Sequence, residues 1–194
     1  MASSVPDTRR RILEAARALL ETRGGSGVRM ADIARRASVS RQAVYLHFKT
    51  RADLLIAVTL HIDDINDVAG RLAPSRAATR GVDRLDAYVE AWAEYLPLIR
   101  GVARALIALS ADDEDAAAAW ARRMADMREG CAAAVDALAA DGDLTADLPA
   151  KEATDLLWAL LSVETWDKLT GACGWTQAAY FAHVRTASRR LLMA

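Results

Sequence analysis

VRMADIARRASVSRQAVYLHFKTR, residues 28 to 51, decides how the rest of the chain is read. Met30, Ile33, Ala34 and Ala37 fall at i, i+3, i+4 and i+7, which is one apolar face of a short helix, and Ser38-Val39-Ser40 interrupts it after two turns. Ser40 is a good N-cap for a following helix, because its hydroxyl oxygen accepts from a backbone N–H that a helix start leaves unpaired. In that second helix Val44 and Phe48 point inward, while Arg41, Gln42, Tyr45 and Lys49 project elsewhere. Two short helices, a tight turn and polar residues opening the second are what a helix-turn-helix requires. Its first helix braces across the DNA backbone and its second enters the major groove, which is about 12 Å wide.

Upstream, Ile12, Leu13, Ala16, Leu19 and Leu20 predict a helix over Asp7 to Thr22, capped by Asp7 or Thr8 and stopped by Gly24-Gly25-Ser26-Gly27. Downstream, Thr50-Arg51-Ala52-Asp53 has the form of a capping box, and Leu54, Leu55, Val58, Ile62 and Ile65 carry a helix to about Gly70. Segment 71 to 82, with Pro74, Ser75 and Gly81, reads as a loop. A helix resumes over Asp83 to Leu96, Pro97 breaks or kinks it, and Leu98 to Ser110 forms the next. Acidic Asp112 to Asp115 suit the start of a long Ala-rich helix over Ala116 to Ala140. Pro149 opens another, through Leu156, Leu157, Leu160, Leu161, Val163 and Trp166 to Gly171, and a last one runs from Thr176 to about Met193. The fold class is therefore all-α, with about nine helices and no strand. A three-helix helix-turn-helix head occupies residues 7–60, with the motif at about 29–48, and a C-terminal helical bundle occupies 61–194.

Composition agrees. Of 194 residues 53% are hydrophobic, enough for a generous core, and the Ala runs favour helix over strand. No apolar stretch approaches the roughly 20 residues that cross a bilayer, and Met1 to Arg11 shows no apolar leader, so a cytoplasmic protein without a membrane partner is expected. Cys131 and Cys173 read as thiols rather than a bridge. The net charge of −1 hides a division: residues 1 to 58 hold 11 Lys and Arg against 5 Asp and Glu, the remainder 14 against 21. A basic third on an acidic body suits a phosphate-binding head joined to a scaffold indifferent to nucleic acid.

By chemistry Arg41 and Gln42 are the base readers, since Arg pairs bidentately with guanine and Gln with adenine, and Ala43 suits a thymine methyl. Arg29, Tyr45, His47 and Lys49 fit phosphate contacts, and Ser40 at the helix start belongs to the same interface. Catalysis finds no support. His47, His61 and His183 form no H-E-x-x-H or E-x-x-H, His61-x-Asp63 is a weak pair, and Gly24 to Gly27 lacks the Lys of a P-loop, so neither metal nor cofactor is expected.

The pattern D-I-A-x-x-A-x-V-S-x-x-x-V-Y-x-H-F-K over Asp32 to Lys49, followed by Asp53-Leu54-Leu55, resembles the TetR family of regulators, specifically over residues 7 to about 60. The remainder is similar only in helix count and in Gly174-Trp175 before the last helix. The chain departs from the family where Ser38 replaces a usual Gly, which points to a reshaped turn, and where Arg29 replaces a usual capping hydroxyl. The resemblance implies a repressor released from a pseudo-palindromic operator by a small-molecule effector, and a homodimer through helices at about 149–171 and 176–193. The apolar circumference of the 149–171 helix independently suggests a partner surface. Tyr88, Trp92, Tyr95, Trp120, Met124, Met127 and Trp158 are candidate liners of a pocket for an apolar or aromatic effector, and the helix from residue 51 is expected to transmit its binding. A DNA-binding regulator without ligand sensing is the alternative.

Overall fold

The computed structural model describes residues 5–23 and 28–193. The expected helix stop at Gly24 to Gly27 lies outside the described residues. Ten α-helices are present among them: α1 Val5–Arg23, α2 Met30–Arg36, α3 Arg41–His47, α4 Arg51–Ile65, α5 Val68–Ala77, α6 Gly81–Leu109, α7 Glu114–Asp141, α8 Ala150–Leu160, α9 Val163–Asp167 and α10 Gln177–Leu192. A π turn, Lys168–Ala172, follows α9. The only extended pairing among the described residues is an isolated bridge between Leu144 and Met193. No described helix is long and apolar enough to cross a membrane.

The helices form two compact units. One comprises the described residues up to Ile65 together with Ile99–Arg123; the other comprises Asn66–Leu98 and the described residues from Met124 onward. In the first unit α1 packs on α4 and α2, and α2 on α3. Ile12, Ala16 and Leu20 of α1, Ile33 of α2, Val44 of α3 and Leu54, Leu55 and Val58 of α4 are all buried, as the spacing of apolar residues requires. His61 of α4 meets Glu14 of α1 at 3.0 Å, and that hydrogen bond, with the charge of Arg17, holds the Glu14 carboxyl below its ordinary range against the opposing effect of burial. Asp63 pairs instead with Arg123 at 2.8 Å, so the His61-x-Asp63 pair is split between two partners.

Four boundaries differ from those expected, each for a local reason. Helix α1 begins at Val5, which leaves Asp7 inside its first turn rather than at the cap. Helix α4 stops at Ile65 instead of Gly70, because Asp67 adopts a left-handed backbone (φ 50°) and its carboxylate accepts from Gly70 N at 3.1 Å. That cap starts α5 within what read as a loop. The exposed Pro74 is tolerated there, and the Ser75 hydroxyl donates to Arg84 O at 2.9 Å. The expected helix at Pro149 to Gly171 is divided, since Ser162 accepts from Thr165 N at 3.1 Å and caps α9 afresh.

The fourth difference is at Pro97, where no break occurs and α6 runs unbroken through 29 residues. A proline leaves the carbonyl four residues earlier without its helical donor. That carbonyl belongs to Ala93, and it accepts instead from Gln177 Nε2 of α10 at 2.7 Å. The other end of the same amide accepts from Trp166 Nε1 at 2.8 Å. Nearby on α6, burial raises the Asp86 carboxyl, but hydrogen bonds from Arg189 and Arg185 of α10 outweigh it and leave the group below its ordinary range.

Gln177→Leu removes both amide bonds and is expected to cost about 1–2 kcal/mol in urea unfolding. The cost should shrink in a Pro97→Ala background, where residue 97 supplies the missing N–H.

Candidate nucleic-acid interface

Helix α2 ends at Arg36 with Ala37 as its C-cap, and the next residue, Ser38, stands at φ 54°, in the left-handed region. Ser38 N donates to Arg35 O at 3.2 Å and Val39 N to Ala34 O at 3.0 Å, the two bonds of a Schellman ending. The turn is thus not reshaped to suit serine. It keeps the backbone that favours glycine, although a left-handed residue with a Cβ costs about 1–2 kcal/mol. Part of the compensation is Arg11 of α1, whose guanidinium donates to the carbonyls of Ala37 and Ser38.

Helix α3 starts as its sequence demands, with Ser40 Oγ accepting from Ala43 N at 3.0 Å. Val44 and Phe48 are buried, and the Arg9 guanidinium lies 5.1 Å from the Phe48 ring centre. The other side chains divide as follows. Arg41, Gln42, Tyr45 and Lys49 are exposed, Ala43 and His47 half-buried. Arg41 stacks over Tyr45, 5.6 Å from its ring centre. Arg29 is the N-cap of α2 and makes no capping bond with its side chain, in keeping with the loss of a hydroxyl there.

Two features were not singled out from sequence. Leu46, on α3, is 81% exposed. Arg51, the first residue of α4, donates to Val28 O at 3.2 Å and pairs with Asp113. The Thr50–Asp53 capping box forms reciprocally, with both bonds at 3.0 Å, and so holds Arg51 in place. Arg29, Arg41, Tyr45 and Arg51 line one open groove of about 1140 Å³ with the acidic segment Asp112 to Asp115. Only the lone pairing preference of a partly buried arginine would have flagged Arg51; Leu46 is marked by its place two residues from Val44.

Of the candidate effector liners, Tyr88, Trp92, Tyr95, Met124, Met127 and Trp158 belong to the second unit and Trp120 to the first. Tyr88, Trp92 and Tyr95 stack edge to face, with ring centres 6.2 and 5.6 Å apart. Tyr88 donates to Met127 O at 2.8 Å, and burial pushes its hydroxyl pKa far up. The approach depends on Gly130, where a Cβ would lie 2.4 Å from that hydroxyl. Cys131 beside it is buried, and its thiol is pushed up to about 12, chiefly by burial; Cys173 is exposed, and both are free. The indole N–H groups of Trp92 and Trp158 are buried without a partner. A narrow crevice between Leu72, Trp92 and Tyr95 has no room for a water molecule.

Residues 12–58 match the family described as bacterial regulatory proteins, tetR family. The HTH-type transcriptional regulator TtgR of Pseudomonas putida is 35% identical over 79 residues, 41% of this chain and 36% of that protein. Over this segment the chain is similar to the TetR family. Its match spans about a third of the length of the curated relatives. The fold extends the likeness along the whole chain. NalD, the secondary repressor of the MexAB-OprM multidrug efflux pump in Pseudomonas aeruginosa, is 26% identical with a TM-score of 0.68, over 97% of this chain and 96% of that one. A transcriptional regulator from Saccharomonospora viridis, solved with choline, has a TM-score of 0.76 at 22% identity, over 97% and 99% of the two chains. The segment that matches the tetR family includes α2 and α3.

Two variants probe the head. Ser38→Gly is expected to raise stability by about 0.5–1 kcal/mol, read as a higher urea midpoint, by relieving the left-handed serine. Arg51→Met strands Val28 O and Asp113 and is expected to cost about 1–3 kcal/mol. Combined with Asp113→Asn it should cost less than the two single losses together.

Proposed function

We propose that this protein is a DNA-binding transcriptional regulator, a repressor that a small-molecule effector releases from a pseudo-palindromic operator. The single observation that carries the reading is α3: a capped helix, anchored by Val44 and Phe48, that keeps its polar side chains outward in a basic segment. Residues 7–60 act as the DNA-binding part and 61–194 as the effector-binding and dimerisation part. Gln42 reads base edges and Arg41, on its long arm, reaches them from the flank of the helix, with Ala43 beside them. Arg29, Ser40, Tyr45, His47 and Lys49 hold phosphates and set the register. Two copies pair through helices within 149–171 and 176–193, so that two recognition helices meet successive major grooves about one DNA turn apart. The protein works in the cytoplasm, where its operator is.

The effector is apolar or aromatic and enters the cluster of Tyr88, Trp92, Tyr95, Met124, Met127 and Trp158. The relative solved with choline supports effector binding by this fold, and the stacked rings would also suit an amphipathic cation. A second reading, regulation without an effector, is favoured by one observation: the crevice at Trp92 and Tyr95 has no room even for water. A thermal-shift screen separates the two, because a ligand bound to the folded protein raises Tm by mass action.

DNA binding is tested by gel shift on the region upstream of the protein's own coding sequence. Specific retention is expected. Arg41→Ala should relax base preference, whereas Lys49→Ala should weaken all sequences alike and lower the salt slope by about 1. The reverse pattern overturns the assignment of roles, and no preference for any sequence overturns the function.

A further inference from the structure

Leu46 is the most exposed of the large apolar side chains described, 81% accessible in the last turn of a seven-residue helix. A helix turns by about 100° per residue, so Leu46 and Gln42 each lie about 160° around α3 from the fully buried Val44. Arg41 and His47 lie only about 60° away on the same count. The outermost stripe of α3 therefore consists of one amide and one leucine, four residues apart and adjacent on the surface. The arginine and tyrosine are drawn to the flank, where they stack on each other and line the groove with Arg29 and Arg51.

When a helix enters the major groove, its outermost stripe meets the base edges and its flanks meet the backbone walls. Leucine offers no hydrogen bond, and the one apolar group that the major groove displays is the C5 methyl of thymine. We infer that Leu46 is a specificity-determining residue that reads a thymine methyl in each operator half-site, next to the base pair read by Gln42. The inference rests on the reading of the chain as a DNA-binding regulator. It goes beyond it in assigning part of the sequence preference to an apolar contact rather than to the arginine.

The experiment uses the intact protein and an operator selected from random DNA. Each thymine of a half-site is replaced in turn by uracil, which pairs identically and lacks only the methyl. One position is expected at which this weakens wild-type binding, by about fourfold per half-site, as for one apolar carbon group returned to water. Leu46→Ala should weaken binding to the thymine operator by a similar or larger factor and should no longer distinguish uracil from thymine at that position. Because Leu46 is exposed, the variant should keep the wild-type Tm, which separates a lost contact from a lost fold. Specific binding that is indifferent to every replacement, or a Leu46→Ala protein that keeps the wild-type sensitivity, overturns the role of Leu46 and leaves the regulator reading intact. Failure of selection to yield any preferred sequence overturns both.

Discussion

A helix of seven residues is far shorter than one that persists alone in water, so α3 exists only because its surroundings impose it. Val44 and Phe48 are buried, Ser40 caps the start, and the Schellman bonds at Ser38 and Val39 fix the angle at which the chain arrives from α2. Remove the burial and the helix loses both its shape and its direction. The residues from Ser40 to Lys49 proposed to touch DNA inherit their position from this arrangement. That explains why the chain tolerates a strained serine at residue 38 but supports it with Arg11 from α1. The same logic extends to Arg51, which ties the start of α4 to Val28 and to Asp113 within one unit.

The head was legible in the sequence because its signals are local. A hydroxyl before a helix, a capping box and apolar residues three and four apart each act within a few positions, and the structure contains them as read. The C-terminal part was read less well, because there the deciding partners are distant in sequence. Pro74 and Pro97 predict interruptions by their own chemistry. The structure absorbs both, the second because Gln177, 84 residues from Ala93, provides the replacement donor. The end of α4 is hidden in the sequence for a different reason: Asp67 acts as a cap, and a lone aspartate carries no distinctive pattern. Ser162 divides the penultimate helix for the same reason.

The candidate sites show the same contrast. Exposure along α3 follows from helix geometry alone, and Arg41, Gln42, Tyr45 and Lys49 stand outward as their spacing implies. Residue type alone marks the aromatic side chains as candidate effector liners, and type does not separate a cavity from a packed core. Tyr88, Trp92 and Tyr95 are closely stacked, and the polar tip of Tyr88 is already bound to Met127 O. The indole N–H groups of Trp92 and Trp158 lack partners, so this packing still carries unanswered polarity.

The proline of α6 has one more consequence. Apolar side chains packed between two helices tolerate sliding, because one leucine serves nearly as well as the next. A single freed carbonyl does not. Ala93 O is the acceptor that Pro97 exposes, and Gln177 at the very start of α10 is the group that finds it. The proline thus works as an index mark cut into an otherwise uniform rod, fixing where along α6 the final helix begins. With the pairing of Asp86 to Arg185 and Arg189, that mark sets the register of α10 along α6.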